Sequence, residues 1–146
     1  MVLPDLYMKL RKIMIEISQT YREANAESDL PNLTVKQYYY LDTIYRMGNP
    51  TYSEIAEKLK VTKPAVTAIV NRLKEIGFLE RVQSATDRRF YSITVSNKGK
   101  KLIEINDAAA NVYAQYVEEC LTENELKTYV DILKKIIENY ESQRAK

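Results

Sequence analysis

Apolar residues recur at intervals of three and four through most of the chain, and at intervals of two in one short stretch. Leu6, Leu10, Ile13, Met14, Ile17 and Tyr21 form the first helical stripe. They predict an amphipathic helix from residue 4 to about residue 25, with Pro4 in its opening turn. Residues 25–33, with Asn25, Ser28, Asp29, Pro31 and Asn32, read as a polar loop. Thr34 and Gln37 stand in the capping-box relation and open a helix that carries Tyr38, Leu41, Ile44 and Tyr45 and ends near Met47–Gly48. Asn49–Pro50 is a turn. Thr51 with Glu54 predicts another capping box, and Ile55, Ala56 and Leu59 give a short helix one apolar face. Lys60–Val61 breaks it, Thr62 caps the next, and Pro64 lies just inside that helix, where its missing N–H costs nothing. Val66, Ile69, Val70 and Leu73 line the inner face of this second helix, which Gly77 stops. Its outer face carries Pro64, Ala68, Asn71 and Glu75, flanked by Thr67 and Arg72.

After Gly77 the period changes to two. Phe78–Gln83 and Phe90–Val95 read as strands, with Tyr91, Ile93 and Val95 on one side, joined through a short polar tip that ends in Asp87, Arg88 and Arg89. Ser96 caps a helix along which Leu102, Ile105, Ala109, Tyr113, Tyr116 and Cys120 repeat. Thr122 and Glu125 form a further capping box, and the last helix runs to about Ser142. Leu126, Val130, Leu133, Ile137 and Tyr140 follow heptad spacing there, which favours a helix-on-helix seam. The fold class is therefore mainly α with a small β-hairpin. A helix, a tight turn and a second helix with a small, polar outer face make the pattern of a helix-turn-helix DNA reader, and a basic hairpin attached to it is a wing. A winged helix accounts for about half of the chain. The helices outside it either enlarge its core or build a dimer interface, and the second reading explains three long apolar stripes more fully.

Charge sharpens this picture. The net charge of +2 conceals a split, because residues 51–101 hold eleven Lys or Arg against five Asp or Glu. A basic middle between acidic flanks is the electrostatic footprint of a nucleic-acid module on a scaffold. The chain has no histidine, which removes Ser–His and Cys–His nucleophiles and leaves a poor ligand set for zinc. Gly48, Gly77 and Gly99 are too far apart for a phosphate-binding loop. No cofactor and no catalytic residues are expected. No apolar run approaches a membrane span, and Asp5 ahead of Lys9 is unlike a signal peptide. One cysteine, Cys120, rules out an intrachain disulfide and fits a reducing cytoplasm. Its place in an apolar stripe predicts a buried structural thiol.

The order helix, helix, helix-turn-helix, basic wing, long helix, long helix resembles the multiple-antibiotic-resistance regulator (MarR) family of transcription factors. The residues that carry the resemblance are Leu33-Thr34 and Gln37; Glu54-Ile55-Ala56 and Leu59; Val66-Thr67 and Arg72-Leu73; Gly77 to Arg81; Asp87-Arg88-Arg89; and Ser96 to Gly99. The resemblance implies a homodimeric repressor on a pseudo-palindromic site in double-stranded DNA. Residues 1–33 and 100–146 would form the helical dimerisation region and 34–99 the winged helix-turn-helix domain. The recognition helix 63–76 would enter the major groove, placing Lys63, Pro64, Ala65, Thr67, Ala68, Asn71 and Arg72 near DNA. The wing 84–90 would reach the minor groove with Arg89, beside Arg88 and braced by Asp87. Ala68 departs from relatives that carry arginine there, so base reading is lean and rests on Asn71, Thr67 and DNA shape, with alanines free to meet thymine methyls.

The resemblance also implies a small lipophilic or phenolic effector between dimer and reading domains, against Ile13, Ile17, Tyr38, Leu41 and Tyr45, residues that serve equally well as ordinary core. Cys120 does not match the N-terminal cysteine of peroxide-sensing relatives. The alternative to a DNA reader is a winged-helix module that binds another protein through its hairpin. The basic middle and the arginine wing argue for DNA.

Overall fold

The computed structural model describes residues 2–25 and 29–146. Ser28 of the expected loop lies outside the described residues. The elements in order are α1 (Val2–Ala24), α2 (Val35–Met47), α3 (Tyr52–Leu59), α4 (Lys63–Glu75), β1 (Leu79–Gln83), β2 (Tyr91–Val95), α5 (Asn97–Cys120) and α6 (Glu123–Arg144). The chain is mainly helical with one antiparallel hairpin, the fold expected. It divides into two compact units, Ser18–Asp107 and a second made of Met1–Ile17 with Ala108–Lys146. No helix of the described residues is long and apolar enough to cross a membrane.

In Ser18–Asp107 the inward stripes of α2, α3 and α4 meet the wing. Leu41, Ile44, Ile55, Val66, Val70 and Leu73 are almost wholly buried, together with Phe78 and Ile93. The strands pair in register from Leu79↔Val95 to Gln83↔Tyr91. Each is one residue shorter than the periodicity predicts. Phe78 is consumed by the turn that ends α4, where its N–H reaches the Leu73 carbonyl at 2.9 Å. Phe90 belongs to the wing tip, where its N–H reaches the Asp87 carbonyl at 3.1 Å.

The cap of α2 is reciprocal, as its sequence predicts. The Gln37 N–H donates to Thr34 Oγ1 at 3.1 Å, and the Thr34 N–H donates to Gln37 Oε1 at 3.0 Å. The expected box at Thr51 forms only in half. The Glu54 N–H donates to Thr51 Oγ1 at 3.2 Å, with no return bond from the Thr51 N–H to the Glu54 carboxylate. Thr51 is instead bridged to Ser92, and the Ile93 N–H donates to the Pro50 carbonyl at 2.8 Å. The segment before α3 thereby acts as a short third strand against β2, tying the helix-turn-helix to the wing.

In the second unit, Thr122 and Glu125 complete the capping box of α6. The Tyr113 and Tyr129 hydroxyls meet at 2.8 Å across the α5–α6 hairpin. Burial, and then the bond to Tyr129, pushes the Tyr113 phenol up to about 12. Neither α1 nor α6 buries a single residue, and the heptad positions Val130, Leu133, Ile137 and Tyr140 are all exposed. Cys120 corrects an expectation. It is exposed at the last turn of α5, because burial along that helix is only partial beyond Ala109 and Cys120 is its final residue.

Candidate nucleic-acid interface

The turn between α3 and α4 is built without glycine. Lys60 takes the left-handed conformation at φ 55°, the Val61 N–H reaches the Ala56 carbonyl at 3.1 Å, and the Lys60 N–H reaches that of Glu57 at 3.3 Å. This pair of bonds is the Schellman closure, usually centred on glycine because a side chain there costs about 1 kcal/mol. Thr62 then caps α4 by accepting from the Ala65 N–H at 3.3 Å, with Pro64 in the first turn.

Burial of Val66, Val70 and Leu73 fixes which face of α4 is outward. Lys63, Pro64, Thr67, Ala68, Asn71 and Arg72 are exposed and Ala65 is half-buried. Two of the polar groups are already engaged. The Thr67 hydroxyl donates to the Lys63 carbonyl at 3.0 Å, so it offers outward only a methyl and an accepting oxygen. Arg72 Nη1 lies 3.3 Å from Glu75 Oε2. Asn71 makes no side-chain hydrogen bond among the described residues.

The far end of α4 is pinned from α5. The Gly77 N–H reaches the Lys74 carbonyl at 3.0 Å, and Gly77 holds φ 84°. Lys98 Nζ donates to the Ile76 carbonyl at 3.0 Å while standing 5.3 Å from the centre of the Phe78 ring. Ser96 Oγ donates to the Gly77 carbonyl at 2.5 Å and accepts from the Gly99 N–H at 3.1 Å.

The wing carries Arg81 over the Tyr91 ring, its guanidinium carbon 3.5 Å from the ring centre, which holds that guanidinium on the hairpin face. At its tip, Arg89 Nη2 and Nε donate to the two carboxylate oxygens of Asp87 at 2.8 and 3.1 Å. The Arg89 side chain is nonetheless 84% exposed. Its side-chain bond, and then its backbone N–H, hold the Asp87 carboxyl below the usual carboxylate range, and Asp87 in turn raises Arg89. A guanidinium gripped along one edge and open on the other suits a narrow, negative groove. Arg88 is exposed beside it. Gln83 and Ser84 also bind the tip. They are absent from the sequence-derived candidates, and only Ser84, a turn-forming residue at the start of a loop, carried a local signal.

The residues expected to meet an effector have unlike surroundings. Leu41 is wholly buried in the core of Ser18–Asp107. Tyr38 is half-buried; burial raises its phenol, and its hydroxyl bonds Asn106, which also accepts from Ser18 Oγ at 3.2 Å. Tyr45 is exposed beneath the Arg46 guanidinium, which pairs with Asp107 at 2.9 Å and Asp42 at 3.2 Å. Ile13 is exposed and Ile17 half-buried on α1.

A helix-turn-helix with a cleared outer face, followed by an arginine-tipped hairpin, defines a winged helix-turn-helix DNA-binding protein. The sequence model of the MarR family matches residues 33–90. The uncharacterized HTH-type transcriptional regulator YwhA of Bacillus subtilis is 32% identical over 98 residues, covering 67% of this chain and 70% of that protein. The HTH-type transcriptional repressor MdtR of the same organism is 25% identical over 97% of this chain and 89% of its own length. The crystal structure of Streptococcus pneumoniae FabT in complex with DNA shares the fold, with a TM-score of 0.72 at 21% identity over 95% of this chain and 94% of that one. The chain belongs to the MarR family of transcriptional regulators, and it is a regulator rather than an enzyme.

Proposed function

We propose that this chain is a cytoplasmic, homodimeric repressor that sets helix 63–76 of each copy in the major groove of a pseudo-palindromic DNA site and wing 84–90 at the neighbouring minor groove. The observation that carries the reading is that α1 and α6, of 23 and 22 residues, have no fully buried residue within one chain. Val130, Leu133 and Ile137 on α6 and Leu6, Ile13 and Met14 on α1 are apolar and exposed. Two such faces on one small protein are surfaces that a second copy covers. Residues 1–33 and 100–146 therefore form the dimerisation region in this reading, and 34–99 the reading domain. A dimer of readers matches two half-sites one DNA turn apart. The repressing sense rests on the named activity of the relative MdtR.

The chemistry of α4 supports a reader poor in donors. With the Thr67 hydroxyl turned into its own helix and Arg72 held by Glu75, Asn71 is the amide left to bond an adenine edge, and Ala68 and the Thr67 methyl fit thymine methyls. A small lipophilic or phenolic effector releases the protein from DNA in this reading. Tyr38 and Tyr45 keep accessible surface on α2 and are the positions whose substitution tests it.

Light scattering on the eluting protein, with footprinting upstream of its own gene, tests the core of the proposal. A dimer protecting two half-sites about one turn apart is expected. A monomer, or protection of a single half-site, overturns it. Arg89→Ala should weaken binding severalfold and lower the salt slope by about one charge. A thermal-shift panel of phenolates and fatty-acyl compounds, followed by a release assay, tests the effector.

A further inference from the structure

The wing tip, Ser84–Phe90, reads Ser-Ala-Thr-Asp-Arg-Arg-Phe and contains neither glycine nor proline. No residue in it limits the backbone by φ alone, so its shape rests on hydrogen bonds. The Ser84 N–H closes the loop on the Phe90 carbonyl at 2.9 Å. Ser84 Oγ accepts from the Thr86 and Asp87 N–H groups, each at 3.3 Å. These bonds, and that from Phe90 to Asp87, lie inside the loop.

One bond enters from outside. Gln83, the last residue of β1, donates from Nε2 to the Arg88 carbonyl at 2.8 Å. The other end of that peptide unit, the Arg89 N–H, donates to Asp87 Oδ1 at 3.1 Å. The peptide plane that joins the two wing arginines is therefore held at both its oxygen and its hydrogen. Fixing that plane fixes the directions in which the Arg88 and Arg89 side chains leave the backbone. Asp87 alone would leave the carbonyl end free to turn.

We propose that Gln83 is a positioning residue for DNA binding: it presets the Arg88–Arg89 peptide so that the wing guanidinium meets DNA already aimed. The inference rests on the reading of the wing as a DNA-contacting element. Gln83 itself carries no charge and needs no contact with DNA. Its benefit is that the wing need not be ordered at the moment of binding, which is worth about the cost of immobilising one long side chain.

The test is a double-mutant cycle of Gln83→Met and Arg89→Ala. Affinity is measured by fluorescence anisotropy, across a salt series, on a duplex selected from random-sequence DNA. Gln83→Met keeps the stem and loses the donor. It should weaken binding about three- to tenfold, equivalent to roughly one such ordering cost. The salt slope should stay at the wild-type value, because no charge is removed. In the Arg89→Ala background the same change should have almost no effect. A role in general wing stability would instead give additive losses and a lowered thermal midpoint, and either result overturns the proposal. If Arg89→Ala weakens binding and Gln83→Met does not, the positioning role fails while the wing reading stands. If Arg89→Ala binds as wild type, the wing reading fails and takes this inference with it.

Discussion

A Cβ built on Gly99 would lie 2.5 Å from the Phe78 carbonyl oxygen and 2.7 Å from Val95 Cγ1. Because one obstacle is a backbone oxygen, the first turn of α5 would have to move away from the end of α4. Gly99→Ala should therefore destabilise the fold by about 1–3 kcal/mol, the usual range for overpacking, read as a lowered denaturation midpoint with an unchanged slope. Ser96 works at the same junction by two bonds. Ser96→Ala removes the cap on Gly99 and strands the Gly77 carbonyl, and should cost about 1–2 kcal/mol. An unchanged midpoint in either variant would mean that the junction relaxes freely. The sequence marked Ser96 as a cap and Gly77 as a stop, since both follow from local backbone chemistry. Gly99 entered only as the end of the Ser96 to Gly99 stretch in the family resemblance; its physical reason, a carbonyl twenty-one residues away, has no local signal. The break at Lys60–Val61 was legible, but the left-handed backbone of Lys60 was not, because a left-handed residue other than glycine leaves no compositional trace.

Among the elements, helix caps and stripes were legible because each is decided within four residues. Thr34 and Thr122 formed the reciprocal boxes that their spacing predicts. Thr51 did so in part, because its neighbour Pro50 is recruited by β2, a tertiary event that no local motif records. The wing was legible as a hairpin with a basic tip, and its Asp87–Arg89 pair came from the family resemblance. The Gln83 brace came from neither. The wing also makes a pH prediction. Arg89 lowers the folded-state value of the Asp87 carboxyl, so the contribution of this pair is complete above the unfolded carboxylate pKa of about 4 and is lost only as pH falls through the lower folded value. The chain has no histidine to titrate nearer neutrality. DNA affinity at fixed ionic strength should thus stay within about twofold between roughly pH 5.5 and 7.5. A step near pH 6 in the anisotropy titration would require a titrating group that the wing and α4 do not supply.

For the whole molecule, the decisive quantity is the apolar surface that one chain leaves open. Val130, Leu133, Ile136, Ile137 and Tyr140 on α6, and Leu6, Leu10, Ile13 and Met14 on α1, are at least a third exposed in the single chain. A helix that leaves most of its apolar face open has little stability of its own in water, since tertiary burial of that face supplies most of it. If a second copy covers these faces, folding and association are one equilibrium, and stability depends on protein concentration. Each tenfold rise in concentration then adds about 1.4 kcal/mol per dimer, which moves the thermal midpoint of a protein this size by roughly 2–4 °C. Scanning calorimetry over two decades of concentration should show that drift. Leu133→Glu with Ile137→Glu puts two carboxylates on the seam, so it should abolish the drift, lower the midpoint and yield a monomer. The same variant should bind an isolated half-site as the wild type does and lose the avidity that the paired site confers, because its α4 and wing are untouched. A midpoint independent of concentration in the wild type, with full affinity for the paired site in the double variant, would place the reading function in one chain acting alone.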